Sequence, residues 1–343
     1  MPPVTDSAKP LVLVTGGTGA IGPALVERLL QEGLPVRVFT RQLADRKPSL
    51  PGVEWRQGDL TDPRALESAT AGVDVVFHLA AKLHVHQPGP GRQAEYQSVN
   101  VEGTRRLVQA AQISGVRRLV FFSTICVYGP SRSGEILDES SRLHPDSRYA
   151  ETKIQGEEIC LQARQGDSQA PLAVVLRLAA VYGPRLKGNY ARLVKALKRG
   201  WFVPVGAGDN RRTLIFDQDV ASAALLAANH PGAAGNIYNV TDGAVHRFKE
   251  IVAAMATALG RNPPRIHLPI GGARWLARCA ETGFRLAGRC APVTPATLAK
   301  MTEDVAVSGR KMERELGFQP AFDLRRGWQA TVLQMDLQTE IEL

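Results

Sequence analysis

Leu11–Gly22 reads LVLVTGGTGAIG, and this stretch decides the fold. Leu11 to Val14 are apolar strand formers that run straight into a turn carrying Gly16, Gly17, Gly19 and Gly22. A helical pattern follows, with apolar residues at Ala24, Leu25, Val26, Leu29 and Leu30. Strand, glycine turn and helix, in that order, is the setting in which a glycine-rich segment cradles a phosphate chain. Gly16 permits the tight turn, Gly19 lets the backbone approach a pyrophosphate, and Gly22 lets the new helix pack close to the strand. The helix start offers that anion free N–H groups and a positive dipole end.

Working outward, strand and helix alternate. Pro35–Thr40 (PVRVFT) reads as the second strand, and Thr40–Arg41 stand at its end with no carboxylate. In a dinucleotide site an acid here bonds a ribose 2′-OH, whereas an arginine accommodates a 2′-phosphate. The pair therefore favours NADP over NAD; Arg41 stacking on adenine, or lying in solvent, is the alternative. At 58–60, GlyAspLeu ends another strand, where Asp59 by itself reads as a turn residue. Val73–Ala81 (VDVVFHLAA) enters a small-residue turn, in which Ala80 and Ala81 leave room for a dinucleotide across the strand ends; His78 is expected to pack. Asn100–Ala111 (NVEGTRRLVQAA) reads as a helix, with Asn100 as its cap. Val116–Phe122 is a buried strand delivering Ser123 and Thr124. Tyr149 follows 25 residues after Thr124 and opens YAETK, which ends at Lys153. Tyr and Lys four apart share one helix face.

TGGTGAIG, the strand end STICVYG and the YxxxK pair together resemble the extended short-chain dehydrogenase/reductases, over nearly the whole chain. The resemblance implies an α/β fold. A Rossmann-type doubly wound parallel sheet is expected mainly in residues 1–180. A smaller, mostly helical substrate-binding region is expected mainly in 181–343, interleaved with late strands and helices of the first. It also implies a cytoplasmic homodimer binding NADP or NAD. The cofactor positions carried over are Gly16, Gly19, Ala20, Ile21, Gly22, Thr40, Arg41, Asp59, Leu60, Leu79, Ala80, Ala81, Asn100, Tyr149, Lys153 and Ala179. The catalytic group is Thr124, Tyr149 and Lys153. Hydride transfer between a carbinol and a nicotinamide requires a proton to move at the oxygen. A free phenol, with a pKa of roughly 10, is a poor base at neutral pH. Positive charge from Lys153 and the nicotinamide ring favours the phenolate and lowers that value. Lys153 also bonds the nicotinamide ribose, and Thr124 bonds the substrate oxygen. Ser123 competes for the last role; Thr124 is preferred because it stands four residues before Tyr128, as the family's catalytic Ser/Thr does.

The second half concerns the substrate. Leu172–Gly183 (LAVVLRLAAVYG) reads as one strand, with Ala179 and Ala180 where many sugar-nucleotide members of the family carry Phe and Asn. Within NRRTLIFDQDV (210–220), Arg212 and Asp219 match the family's RxxxxxxD segment, whose arginine holds a substrate diphosphate. A guanidinium fork suits that anion. Lys187, Asn189, Arg192 and Arg212 are the expected cradle, with Thr124 at the reacting oxygen. In 268–291, Trp275, Leu276, Cys279, Phe284 and Leu286 alternate with Arg274, Arg278, Arg285 and Arg289. A helical substrate cap, its apolar face covered by protein, is expected here in preference to a membrane-surface helix, because Gly283 and Gly288 interrupt a long interfacial helix.

VFHLAAKLHVH, YGPRLKGNYARL and NRRTLIF bring the chain nearest to bacterial nucleotide-sugar epimerases and reductases of polysaccharide biosynthesis. That implies an NAD(P)-dependent epimerase or reductase of a UDP-type or lipid-diphosphate-linked sugar. A 3β-hydroxysteroid or dihydroflavonol-type dehydrogenase is the second reading, supported by the alanine pair and the apolar cap. The third is a non-catalytic NAD(P)-sensing regulator; such proteins typically lose the Tyr or the Lys, and both are present. The 343 residues are 44% hydrophobic and 22% charged, as in ordinary globular proteins. The formal charge of +9 points to an acidic substrate, a phosphorylated cofactor or an anionic surface. No aromatic-interleaved basic block argues for nucleic acid. Cys126, Cys160, Cys279 and Cys290 lack metal-ligand spacing, so no metal is expected, and they read as buried thiols in a reducing compartment. No run is apolar and long enough to cross a bilayer, and the first ten residues lack a signal-peptide core.

Overall fold

The structure, a computed structural model, describes residues 9–43, 51–83, 90–185, 188–286, 291 and 294–341. Its strands are β1 (Val12–Thr15), β2 (Val36–Thr40), β3 (Val53–Gln57), β4 (Val75–His78), β5 (Arg118–Thr124), β6 (Ala173–Leu178), β7 (Ala180–Tyr182), β8 (Arg211–Arg212), β9 (Leu214–Phe216), β10 (Ile237–Val240) and β11 (His246–Arg247). The helices are α1 (Gly22–Gln31), α2 (Pro63–Thr70), α3 (Pro90–Tyr96), α4 (Gly103–Ile113), α5 (Arg148–Gln162), α6 (Gly188–Arg199), α7 (Asp217–Asn229), α8 (Phe248–Ala258), α9 (Ile270–Leu286), α10 (Pro295–Thr302), α11 (Arg310–Leu316) and α12 (Leu324–Ile341).

Seven strands form one parallel sheet in the order β10-β6-β5-β4-β1-β2-β3. Alternation along each strand sends side chains to two cores. Val12, Val14, Val120, Phe122, Val174 and Leu176 pack under α1, α7 and α11. Leu13, Leu119, Phe121, Ala173 and Val175 pack under α2, α4 and α5. Both faces are covered, which is the doubly wound arrangement expected from parallel, near-continuously apolar strands. The strand order reverses between β1 and β4, so the crevice for a ligand opens above their carboxyl ends. A third core gathers Tyr182, Leu193, Leu214, Phe216, Ile251, Met255 and Trp328 around α6, α8 and α12.

Three expectations are corrected here. The stretch 172–183 is not one strand. The Ala179 N–H donates to Val240 O at 3.0 Å, but the Ala180 N–H donates to Thr213 O at 3.2 Å. The chain thus leaves the large sheet after Leu178, and β7 pairs with β9 instead. The helix read from Asn100 begins ten residues earlier, at Pro90, and passes through a π-helical turn, Gln97–Glu102, before α4. Asn100 lies inside that turn and caps nothing. Finally, α9 runs through Gly283 without a break, and protein covers little more than its small side chains: Ala273 and Ala277 are buried, while Trp275 and Leu276 are exposed. Gly288, Arg289, Cys290 and the side chain of Leu286 lie outside the described residues.

Candidate active site

A cleft of about 540 Å³ opens above β1 and β4. That volume falls in the range of roughly 300–1,000 Å³ usual for small-molecule and cofactor sites. The turn after β1 forms its floor. Gly16 has φ +73°, and a Cβ there would lie 2.7 Å from Ala80 N, so only glycine fits between the turn and the β4 loop. A Cβ on Gly22 would lie 2.4 Å from the carbonyl carbon and oxygen of Gly17, so the residue lets α1 start directly on the turn rather than against the strand. At Gly19 an added Cβ would meet only Gly16 O, at 3.1 Å; its open side is the cleft. This backbone cradle fits a dinucleotide pyrophosphate.

Gly16, Gly19, Ala20, Ile21, Gly22, Thr40, Arg41, Asp59, Leu60, Leu79, Ala80, Ala81, Thr124, Tyr149, Lys153 and Ala179 all line this cleft. Asp59 accepts from Thr61 N at 2.8 Å and from Thr61 Oγ1 at 2.7 Å. Burial works against its charge, yet the Thr61 bonds and nearby Arg41 outweigh it and hold the carboxyl below its ordinary value. Asn100 is the exception among the cofactor positions. It is buried behind the loop, accepting from Lys82 N at 2.7 Å and donating to Lys82 O at 3.2 Å and Thr152 Oγ1 at 3.0 Å. It holds the loop that lines the cleft and does not line it itself. The cleft also takes Thr18, Phe39, Gly58, Lys82, Leu83, Val99, Phe122, Leu178 and Val181, which the sequence did not single out. Most of them adjoin a residue that it did, which was the available signal. His78 is fully buried between Thr15 Oγ1 at 2.8 Å and Thr104 Oγ1 at 2.9 Å. Burial, with Lys153 nearby, pushes it down to about 3, so it is a neutral packed residue, as expected.

The reacting end is built by β5 and α5. Ser147 caps α5, accepting from Ala150 N at 3.3 Å, and fixes Tyr149 in the first turn with Lys153 one turn on. Thr124 Oγ1 accepts the Cys126 N–H at 3.2 Å, and its hydroxyl also meets the Cys126 thiol. Ser123, the competitor, donates its hydroxyl proton to Glu157, itself bound to Arg177. Lys153 is 2% exposed, with its ammonium 4.1 Å from the Phe121 ring centre. Desolvation pushes it down to about 8, against the opposing pull of Cys160 and Glu157. The Tyr149 phenol corrects an expectation. Burial, with Cys126 and Tyr96 adding to it, raises its pKa in the protein alone, and Lys153 is not among the groups that move it.

The four diphosphate candidates are not gathered here. Lys187 lies outside the described residues. Asn189 and Arg192 are exposed on α6, and none of Asn189, Arg192 and Arg212 lines the cleft. Arg212 Nη2 donates to Lys300 O at 2.6 Å and Met301 O at 3.3 Å, with Nη1 4.0 Å from Glu303. The uniform reading of the cysteines is corrected too: Cys160 is buried, but Cys126 and Cys279 are exposed. Among the described residues no cluster of His, Cys, Asp and Glu can hold a metal, and no helix is long and apolar enough to cross a membrane.

Residues 12–241 match the model of the NAD dependent epimerase/dehydratase family. The chain is similar to the N-acetyl-alpha-D-glucosaminyl-diphospho-ditrans,octacis-undecaprenol 4-epimerase of Escherichia coli O157:H7, 26% identical over 324 residues that cover 94% of each chain. It is similar to the 3-beta-hydroxysteroid dehydrogenase of Mycolicibacterium neoaurum, 30% identical over 331 residues, 91% of this chain and 87% of the other. Among solved structures it is similar to MoeE5 in complex with UDP-glucose and NAD, with a TM-score of 0.73 and 26% identity, over 96% of this chain and 99% of that one. A match over residues 12–241, more than half of the 343, settles the family: the chain is an enzyme of the NAD dependent epimerase/dehydratase family.

Proposed function

We propose that this enzyme epimerises or reduces, by hydride transfer, a sugar carried on a diphosphate, whether that of a nucleotide or of a lipid. The observation that carries the chemistry is that Thr124, Tyr149 and Lys153 line the same cleft as the glycine turn. The bound dinucleotide supplies the hydride acceptor or donor and, when oxidised, a positively charged ring. Thr124 donates to the substrate oxygen and orients it. Tyr149 moves the proton at that oxygen. Because burial holds its phenol high, positive charge must arrive next to it before it acts as a base. Lys153 bonds the nicotinamide ribose. Arg41 reads a 2′-phosphate at the far end, and Asn100 fixes the 80–82 loop.

The diphosphate reading is supported by the two sugar-diphosphate relatives and by Arg212, whose charge acts on Tyr190 of α6. Asn189, Arg192 and Lys187 are the further candidates for the same group. In this reading residues 1–180 mainly bind the dinucleotide and 181–343 mainly the substrate, in a cytoplasmic homodimer. A hydroxysteroid is the second reading, favoured by the small Ala179 side chain beside the reacting end and by the steroid dehydrogenase relative. Calorimetry of UDP and of a 3β-hydroxysteroid on dinucleotide-loaded protein separates them. UDP heat that falls roughly tenfold to a hundredfold in affinity with Arg212→Ala supports the sugar diphosphate. Saturable heat with the steroid alone overturns it.

A further inference from the structure

We infer that α9 and the loops beside it form a docking surface for an anionic lipid bilayer. Helical geometry sorts the side chains of α9 into three stripes at 100° per residue. Ala273 and Ala277 form the inner stripe, against Leu298 of α10, Val205 and Leu268. Arg274, Arg278 and Arg285, at i, i+4 and i+11, form a second stripe along one flank, with Glu281 the one acid in that row. Trp275, Leu276 and Cys279 point away from the protein, with Trp275 66% and Leu276 49% exposed.

The surface continues beyond the helix. Leu268 pairs with Val205, and its N–H donates to Pro204 O at 2.8 Å, which places the 201–206 segment beside the start of α9. That segment and its neighbour expose Trp201 at 78%, Val203 at 55% and Ile266 at 80%. The Arg199 guanidinium lies 6.0 Å from the Trp201 ring centre. From Arg261 to Leu286 the chain carries Arg261, Arg265, Arg274, Arg278 and Arg285 against one carboxylate, Glu281.

Exposed tryptophans and aliphatics flanked by a row of arginines are what a helix lying in a bilayer interface presents. A protein partner for so large an apolar face would need a matching acidic rim; anionic headgroups supply that rim everywhere at once. The surface also has a place in the site. α10, on which α9 rests, holds Arg212 through Lys300 O and Met301 O, and Lys300 pairs with Asp146 at 3.0 Å near the start of α5. Docking by α9 therefore sets the membrane two helices away from the substrate side of the enzyme. That geometry deepens the diphosphate reading toward a lipid-borne substrate.

The test is flotation of the full chain with vesicles of phosphatidylglycerol and phosphatidylcholine, against vesicles of phosphatidylcholine alone, without substrate. The wild type is expected to float with the anionic vesicles and to detach as salt is added. Each arginine contributes about fivefold, so Arg274→Gln, Arg278→Gln and Arg285→Gln together should weaken binding on the order of a hundredfold. Trp275→Ala with Trp201→Ala should weaken it as well, and both variants should bind dinucleotide as the wild type does. No flotation, or equal binding to neutral vesicles untouched by the arginine changes, overturns the proposal. So does a self-association that Trp275→Ala abolishes in a protein that ignores vesicles. The diphosphate reading fails or survives separately, in the UDP calorimetry.

Discussion

Arg177 stands in the middle of the sheet at 3% exposure, and Glu157 of α5 meets it there at 2%. Arg177 Nη2 lies 2.6 Å from Glu157 Oε2, and Nε lies 3.0 and 3.2 Å from the two carboxylate oxygens. Arg177 Nη1 donates to Tyr128 Oη at 2.8 Å, and that hydroxyl donates to Asn239 Oδ1 at 2.8 Å. Ser123 donates to the same carboxylate. Glu157→Gln keeps the shape and removes the charge, leaving a guanidinium buried without a counter-ion. Breaking one side of such a pair costs about 3–5 kcal/mol, a large part of the 5–15 kcal/mol that holds a domain folded. Adding Arg177→Met removes the orphaned charge, leaving about 1–3 kcal/mol for Tyr128, whose hydroxyl loses the Arg177 donor. Urea unfolding of the two variants and the wild type at one pH measures both steps. A loss under about 1 kcal/mol for Glu157→Gln, or a double variant no better than the single, refutes the reasoning. Lys153 adds a second readout. The Glu157 charge raises its pKa against desolvation, so Glu157→Gln should move any Lys153 titration below about 8.

Tyr149→Phe should lower turnover by about 10²–10⁴-fold and leave dinucleotide affinity in place; near-normal turnover would remove the phenol from the chemistry. Arg41→Ala should weaken NADP(H) roughly tenfold or more and NAD(H) little. Equal losses in titrations of both cofactors would mean that Arg41 does not read the phosphate. Asp217, 3% exposed, has its carboxyl pushed up to about 7 from an ordinary 3.8 by burial, which the Gln218 N–H and Arg185 only partly offset. Between those values the native state keeps a proton that the unfolded chain has released, so wild-type stability falls as pH rises through that window. Asp217→Asn should then be more stable than wild type at pH 8, by up to about 4 kcal/mol, and lose that advantage by pH 4. Urea midpoints at the two pH values check this, and a pH-independent difference would contradict it.

The glycine turn and the Tyr149–Lys153 spacing were legible because each is local: a few adjacent residues fix a turn or a helix face. The crevice followed from strand alternation. What stayed hidden depended on partners distant in sequence. LRLAAVY is an unbroken apolar run, and only the pull of Val240 on one side and Thr213 on the other splits it at Ala179. The early start of the helix at Pro90 is masked by the surrounding glycine and proline. A charge at position 177 inside a buried strand was the visible sign that a buried acid must exist, but nothing local named Glu157. The exposed outer face of α9 was illegible for the opposite reason: its apolar residues have the periodicity of a packed helix, and periodicity does not say whether protein or something else covers them.

The place of β10 in the sheet has a consequence for how the chain is made. Six strands have been synthesised by Leu178, yet the strand that covers the outer edge of β6 begins at Ile237. At roughly 5–20 residues per second, about 3–12 s of translation separate the two. Throughout that interval the nascent chain shows an apolar edge, VVLRL, whose backbone groups have no neighbour, and such an edge templates pairing with any other extended segment. Tyr128 meanwhile waits for Asn239. A chain interrupted anywhere between Leu178 and Ile237 is therefore expected to stick to its siblings, so expression fragments ending near residue 180 should gather in the insoluble fraction, while the full chain should not.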